Sequence, residues 1–269
     1  LSLNTIFAQQ KPMGSRLKLG LDAGGIWQQA DIKSKTGFGW GATLEWTFLE
    51  NDHTFFGLAT RTRFLHGNAY GRDIYSDSDL TENNEVNGKL YSNINYSGNT
   101  LFHNNRTTLN EWSQELMLKF NKLQANTGML LYGFGGLGFT TYKTRIDQLD
   151  AQGVMYDYND VGNSINTPGY IKFELNNERD GTYETLAEEN IYYRSSAALT
   201  PSWGYGVGFM MGKMASLAFE HKISLPQTDL FDGVENGGLR PYHFDIYHYL
   251  SLKLAFSLWG RGYGNYTGS

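Results

Sequence analysis

The stretch HYLSLKLAFSLW, residues 248–259, constrains the fold of this chain more than any other. Its large apolar side chains recur at every second position, with serine, lysine and alanine between them. A period of two predicts a β-strand with one apolar and one polar face. Its length exceeds the five or six residues usual in soluble sheets and matches the roughly 9–11 residues that a tilted strand needs to cross a bilayer. The stretch therefore predicts a membrane-spanning strand.

The overall composition is polar, which a barrel tolerates because only every second strand residue faces lipid. Net charge is −5, and 32 glycines and 15% aromatic residues among 269 residues favour many strands over disorder. The sequence contains no run of eighteen apolar residues, so it predicts no membrane-spanning helix. The mild acidity and the lack of a basic patch in the sequence argue against a nucleic-acid partner. The absence of cysteine excludes a disulfide framework.

Seven further segments share the period of two: 16–27, 38–48, 55–65, 112–120, 130–139, 202–211 and 216–223. The glycine pairs Gly24-Gly25 and Gly135-Gly136 predict bulges, the second shifting the strand's parity. Short turns alternate with long loops, as in outer-membrane barrels. We therefore predict an all-β fold, an eight-stranded antiparallel up-and-down transmembrane β-barrel. A soluble barrel is the alternative, and the charges on the polar parity argue against it.

Two long loops contain further predicted hairpins, at residues 89–102 and 170–193. If the second hairpin enters the bilayer, the barrel has ten strands. Its charges on both parities favour an extracellular extension instead.

The predicted boundaries follow from the strands. Residues 1–8 are interpreted as a residual signal-peptide segment, 9–15 as an N-terminal lead, 16–259 as the barrel and 260–269 as a periplasmic linker. An even number of strands places both termini on the periplasmic side.

Charged residues on the polar parity are expected to face a lumen too narrow to leave them unpaired. Five of them are predicted near mid-height: Asp22, Arg61, Glu115, Glu220 and Lys253. We expect Arg61 to meet Glu115 and Glu220 to meet Lys253 on neighbouring strands. Two interpretations stay open, a packed ion-pair plug that fixes strand register, which we favour, and a narrow conductance path.

Aromatic residues near strand ends are predicted to lie at the two membrane interfaces. The predicted set is Trp27, Trp40, Trp46, Trp203, Tyr247, Tyr249 and Trp259.

The whole pattern resembles the N-terminal barrel of the outer-membrane protein A (OmpA) family. The similarity covers residues 16–259 and includes eight strands, aromatic girdles, a polar lumen and the stretch RTRFL at 61–65 leading to YGRD at 70–73. The resemblance implies an outer-membrane location, contact with outer-membrane lipid and lipopolysaccharide, and a tether to peptidoglycan through a C-terminal region after residue 269. The alternative is an accessory subunit of a larger outer-membrane transport or secretion complex, docking on other outer-membrane proteins through its long loops.

No catalytic motif is present: the sequence contains neither G-x-S-x-G nor H-E-x-x-H. His221 and His248 share the outward parity of neighbouring strands, so they are either interface histidines, which we favour, or a metal or acid–base pair. We predict no enzyme activity, no cofactor and no metal site.

Overall fold

The computed structural model describes residues 17–30, 33–49, 54–74, 102–158, 160–161, 167–186, 196–212, 214–228, 231–232 and 245–258. Ten strands and two helices lie in these ranges. In chain order they are β1 (Leu17–Gln29), β2 (Ser34–Lys35), β3 (Gly37–Leu49), β4 (Phe56–Arg72), β5 (Asn104–Phe120), α1 (Asn121–Thr127), β6 (Met129–Ile146), α2 (Pro168–Glu178), β7 (Thr185–Leu186), β8 (Ser196–Met211), β9 (Ala215–Ser224) and β10 (Ile246–Ser257).

The eight long strands form one closed antiparallel barrel, as the sequence predicts. Each pairs with its neighbours along the chain, and β1 closes the ring by pairing with β10. The strands are staggered. Hydrogen-bonded partners followed once around the barrel from Leu17 lead back to Trp27 of the same strand. This stagger is the shear that tilts the strands and brings distant residues to one height.

The barrel is apolar outside and polar inside. Along β10, Leu250 and Leu252 are 48% and 43% exposed, whereas Lys253 between Leu252 and Leu254 is only 4% exposed. The same alternation runs along the other long strands. A continuous apolar surface of this extent is rare on a soluble monomer, whereas it is the expected outer surface of a barrel in contact with lipid. The soluble-barrel alternative is excluded because it requires the opposite arrangement.

Neither predicted bulge exists. The pairing of β1 runs without interruption through Gly24 and Gly25, and that of β6 through Gly135 and Gly136. Parity therefore never changes. Leu130, Tyr132 and Phe134, before the second glycine pair, face the lumen and are buried, whereas Leu137 and Phe139, after it, are exposed on the outer wall. The strands stay regular at both pairs. A Cβ at Gly24 or Gly136 would lie 1.9 or 2.1 Å from a backbone oxygen of the neighbouring strand, so these two glycines mark a close approach of strands and not a bulge.

Four strands rise well beyond the length a bilayer needs. β4, β5, β6 and β8 contain 17, 17, 18 and 16 residues, longer than the segments predicted from the sequence. Their extra residues all lie at the long-loop end. These extra residues and the described loop residues at that end (102–103, 147–158, 160–161 and 167–186) form an ordered structure above the barrel wall, which we call the cap.

The predicted hairpin at 170–193 is wrong, because its first half is the helix α2. Pro168 suits the first helical turn, where its missing N–H has no partner to lose. Ile171 and Leu175, one turn apart, are buried against Phe102 and Tyr158 in the cap. In the described part of the second half, which ends at residue 186, Thr185–Leu186 pairs with β6. The described strands therefore close an eight-stranded barrel and not a ten-stranded one.

The opposite end of the barrel has short connections. The turn after β5 contains the short helix α1, which Gly128 ends with a φ of 73°. The turn after β8 uses Gly212 at a φ of 82°. Both are left-handed conformations that favour glycine.

Within the described ranges, no helix is long and apolar enough to cross a membrane. The predicted signal segment, the N-terminal lead, the linker 260–269, Trp259 and all of the predicted hairpin at 89–102 except its last residue lie outside the described residues.

Candidate functional site

The centre of the lumen is an ion network built around Glu220 of β9. Nη1 of Arg61 lies 2.6 Å from Oε1 of Glu220, and Nζ of Lys253 lies 3.2 Å from the same oxygen. Arg63 donates to Oε2 of Glu220, and the Tyr132 hydroxyl donates to Oε1 over 2.5 Å. Because Arg61 and Arg63 are on β4 and Glu220 is on β9, their contacts cross the lumen and join strands that are not neighbours.

A second carboxylate, Glu115 of β5, balances the arginines from the other side. Nε and Nη2 of Arg61 lie 2.6 Å and 2.5 Å from its Oε2. Nζ of Lys222 lies 2.7 Å from Oε1 of Glu115 and 2.8 Å from Oε1 of Glu111. All four side chains are at most 1% exposed. Charges buried this deeply persist only when partners surround them, as they do here.

Two tyrosines complete the network on the side towards the long loops. The Tyr249 hydroxyl donates to Asp22 over 2.7 Å, and the Tyr247 hydroxyl donates to Glu111. Towards the short turns, Lys119 pairs with Glu45 and donates to Thr47 over 2.9 Å. Charged pairs therefore occupy several successive levels of the lumen.

A buried apolar cluster lies among the charged levels of the lumen, with Met117 between Glu115 and Lys119 along β5. Ala59, Met117, Leu130, Phe134 and Ala218 pack on the short-turn side. The guanidinium carbon of Arg61 lies 4.3 Å from the Phe134 ring centroid, which joins that layer to the charges.

The mouth at the long-loop end is filled by Phe231, from the loop after β9. Its ring is fully buried and stacks on Tyr247 with the centroids 5.3 Å apart. Its carbonyl accepts from the hydroxyls of Thr107 and Thr144 over 2.6 and 2.8 Å, and its N–H donates to Asp245 over 2.9 Å. Phe231 thus fills the mouth of the lumen and is held there by hydrogen bonds from the barrel wall, and we call it the stopper residue.

The structure brings the five predicted lumen residues into one region. Arg61 with Glu115 and Glu220 with Lys253 lie at ion-pair distance, while Asp22 is 3.9 Å from Nη1 of Arg63.

The aromatic residues predicted at the membrane interfaces divide into two sets. Trp40, Trp46 and Trp203 are about half exposed on the outer wall, and Trp27 is half-buried there. Tyr247 and Tyr249 are instead fully buried in the lumen, so their assignment to an interface is wrong. They share the parity of Lys253, and on a regular strand parity decides the face before residue type does.

Sequence reasoning also missed several lumen residues. Glu111 and Tyr132 could have been found by extending the strands at constant parity. Phe231 offered no such signal, because it lies in a loop whose path only the fold determines.

His221 and His248 meet on the outer wall. Nε2 of His221 lies 3.2 Å from Nδ1 of His248, and Nε2 of His248 lies 3.2 Å from Oε1 of Gln29. Because the amide oxygen only accepts, His248 carries its proton on Nε2 and accepts from His221. The Trp27 ring stacks on His248 with centroids 5.2 Å apart. The two histidines are therefore part of an aromatic patch on the outer wall. The two ring nitrogens that face each other are hydrogen-bonded to each other.

Three carboxylates approach one another in the cap. Oxygens of Asp147, Asp180 and Glu184 all lie within 4.8 Å of one another. Burial, with the nearby charge of Glu184, raises the pKa of Asp147 to about 6. Three oxygens fall short of the six to eight ligands that calcium takes, and we assign them no metal role.

Fold and site together define the class of protein: an eight-stranded transmembrane β-barrel of the outer-membrane type, with a lumen filled by paired charges. No family model matches the sequence, and no curated protein matches it. The closed eight-stranded barrel confirms the architecture that the resemblance to the OmpA family implies, and no family model assigns the chain to that family.

Solved structures of similar fold are outer-membrane or surface proteins. Neisserial surface protein A is 10% identical over 90% of this chain and 97% of its own, with a TM-score of 0.39. Ail, the attachment invasion locus protein of Yersinia pestis, in complex with the heparin analogue sucrose octasulfate, is 9% identical over 89% and 95%, with a TM-score of 0.38. A major outer membrane protein from Thermus thermophilus is 12% identical over 89% and 98%, with a TM-score of 0.40. At these identities and TM-scores the matches assign neither a family nor a role to this chain.

Proposed function

We propose that this protein is a structural barrel of the outer membrane, closed to ion flow and without enzymatic activity. The observation that supports this function best is the lumen network, in which Arg61 and Glu220 pair across the barrel between fully buried side chains. A conducting pore needs a hydrated path, whereas these charges are satisfied by one another. The stopper residue Phe231 supports the same role at the mouth.

The proposed orientation places the long-loop end outside the cell and both termini in the periplasm. The asymmetry of the connections supports it. Turns such as Gly212 and the helix α1 are short, whereas the loops at the other end build a cap, and outer-membrane barrels keep their short turns in the periplasm.

The proposed cellular role is a membrane anchor that tethers peptidoglycan through a region following residue 269. The resemblance to the OmpA family supports this role, and a filled lumen suits a protein whose barrel serves as attachment.

Conductance in planar bilayers tests the closed lumen. The refolded barrel is expected to give no stable open channels, even when its insertion is verified by protection from protease. Large, long-lived openings would refute the plug and favour the conductance path.

Single cysteines test the orientation, because the natural chain contains none. Gln152→Cys lies on the exposed cap and Lys122→Cys on the exposed face of α1. An impermeant maleimide added to intact cells is expected to label the first and spare the second. The reverse result would overturn the orientation.

Sedimentation with purified peptidoglycan tests the tether. The complete gene product is expected to sediment with it, and residues 1–269 alone serve as the control that stays in solution. A complete product that stays in solution would remove the anchoring role.

A second candidate function is docking on a larger outer-membrane complex, which the ordered cap favours. Val154 and Phe173 are 60% and 59% exposed on it, well above the apolar belt. A photo-crosslinking residue at position 173 is expected to capture one defined outer-membrane protein in intact cells if the cap docks. Failure to capture a protein there, with the cap folded, would discard this candidate.

A further inference from the structure

The outer faces of β5 and β6 change character in a regular order towards the long-loop end. Trp112 and Phe139 lie directly opposite each other and are 61% and 52% exposed, as expected of aromatic residues at an interface. Beyond them, every outward pair is polar and then basic. The successive pairs are Asn110 with Thr141, Thr108 with Lys143, and Arg106 with Arg145.

The last pair joins two like charges on adjacent strands. Side chains directly opposite in an antiparallel ladder lie about 5 Å apart, and like charges there are destabilising. Among the residues that the structure describes, no carboxylate oxygen lies within 4.0 Å of Arg106, Lys143 or Arg145. Within the described ranges, these three basic side chains therefore form no ion pair with a carboxylate.

Contacts with Tyr183 hold both guanidinium groups in place. The guanidinium carbon of Arg106 lies 4.9 Å from the Tyr183 ring centroid, and Nη1 of Arg145 donates to the Tyr183 carbonyl over 3.3 Å. Nε of Arg106 is buried without a hydrogen-bond partner. The arginines are thus positioned by neutral groups that leave their charge available to an anion.

The basic surface continues onto neighbouring strands in the same cross-strand row. Arg106 is paired with Tyr70, and Tyr70 with Lys35 of β2. Burial, and then the charges of Arg72 and Lys172, lower the pKa of Lys35. Lys35, Arg106 and Arg145 follow one cross-strand row, and Lys143 lies two residues before Arg145 on the same face of β6. We call these four basic side chains the basic row.

We propose that the basic row binds the phosphate groups of lipids in the leaflet at the long-loop end. Lys143 lies four residues beyond Phe139, about 13 Å along the strand at ~3.3 Å per residue. Tilting of about 40° reduces this to about 10 Å along the membrane normal, where headgroups follow the acyl chains. Arginine forks suit phosphate oxygens because they donate in pairs.

With the orientation given under Proposed function, on which this step rests, the lipid is a phosphorylated glycolipid of the outer leaflet. A lipid headgroup and free phosphate offer the basic row the same phosphate chemistry, so the test below includes both. The groove between the outward side chains from Arg106 to Arg145 opens along the wall beside the apolar belt, which favours a headgroup whose acyl chains already lie on that belt.

Native mass spectrometry of the refolded, detergent-solubilised protein tests the proposal. The variant is Arg106→Gln, Lys143→Gln and Arg145→Gln combined, and the matched control is Lys122→Gln, an exposed lysine at the short-turn end. The probes are bisphosphorylated lipid A, the same lipid without phosphates, phosphatidylglycerol and inorganic phosphate. Retention of heat-modifiable migration in gels verifies that each variant is folded.

The natural chain and Lys122→Gln are expected to bind bisphosphorylated lipid A equally, and the triple variant at least tenfold more weakly. Lipid A without phosphates is expected to bind the natural chain no more tightly than bisphosphorylated lipid A binds the triple variant. Equal binding by the triple variant, equal binding of the dephosphorylated lipid, or free phosphate held as tightly as the lipid would each overturn the proposal. Binding of phosphatidylglycerol alone would refute the glycolipid, and the cysteine labelling reports separately whether the orientation is at fault.

Discussion

Replacing Glu220 by glutamine tests whether the lumen network stabilises the barrel. The carboxylate of Glu220 accepts from Arg61, Arg63, Lys253 and Tyr132. Glutamine preserves the shape but removes the negative charge and points an N–H₂ donor at other donors. Among the described residues of the barrel strands, the lumen then contains six basic side chains and four acidic ones: Lys18, Arg61, Arg63, Lys119, Lys222 and Lys253 against Asp22, Glu45, Glu111 and Glu115.

The expected loss is about 3–5 kcal/mol in the free energy of unfolding, the usual cost of removing one partner from a buried ion pair. With a urea m-value of about 1–3 kcal/mol/M, the midpoint of unfolding falls by at least about 1 M. Reversible urea unfolding in detergent or vesicles, followed by tryptophan fluorescence, measures it. Glu178→Gln, at the exposed end of α2, is the control and is expected to stay within about 0.5 kcal/mol of the natural chain.

A double variant separates charge from shape. In the Glu220→Gln background, Lys253→Met replaces an unpaired lysine by a neutral side chain of similar length. This second change is expected to restore at least about 1 kcal/mol of the lost free energy of unfolding. If Glu220→Gln lies within about 1 kcal/mol of the natural chain, the network does not stabilise the fold and the reasoning fails.

Three further changes test the stopper, the close strand packing and the cap. Phe231→Ala is expected to cost about 3–5 kcal/mol and to speed hydrogen exchange at the mouth, and unchanged exchange would contradict a stopper role. Gly24→Ala is expected to cost about 1–3 kcal/mol in urea unfolding, because its Cβ would lie 1.9 Å from a backbone oxygen of the next strand. Gly133→Ala, whose nearest neighbour would be 3.8 Å away, is the control, and equal losses would refute the argument. Asp147, with its pKa raised to about 6, stabilises the cap at low pH and loses this effect as the pH rises from 3.8 to 6. Buried His103, with its pKa lowered to about 4, stabilises it at neutral pH and loses this as the pH falls from 6.5 to 4. Asp147→Asn should therefore make amide protection in the cap fall more steeply on acidification than in the natural chain, and an identical pH profile would contradict the role of Asp147.

Strand parity explains both the successes and the errors of the sequence-based predictions. Lys253 was predicted to face the lumen because it alternates with leucines, and the structure buries it there. The same parity placed Tyr247 inside, but its residue type suggested an interface. At Gly135-Gly136 the residue type predicts a bulge, and the ladder contains none. Where parity and residue type conflicted, parity was correct.

Helical signals in the cap were present but short. Ile171 and Leu175 are one turn apart after Pro168, a pattern that indicates a helix. The aromatic and β-branched residues around them also suit a strand. Burial against Phe102 and Tyr158 favours the helix, and that contact exists only once the cap is folded.

The sequence by itself determined the membrane-spanning barrel, because a period of two repeated over eight segments leaves an apolar face that only lipid can cover. It also determined that charges face inward, since these share the other parity. Only the tertiary structure decided which charges meet, because Arg61 and Glu220 are brought together by the stagger of the closed barrel and not by spacing along the chain. The same holds for Phe231, which enters the mouth from a loop. It holds too for the basic row, whose members are scattered through the sequence without forming a basic patch and become neighbours only through strand register.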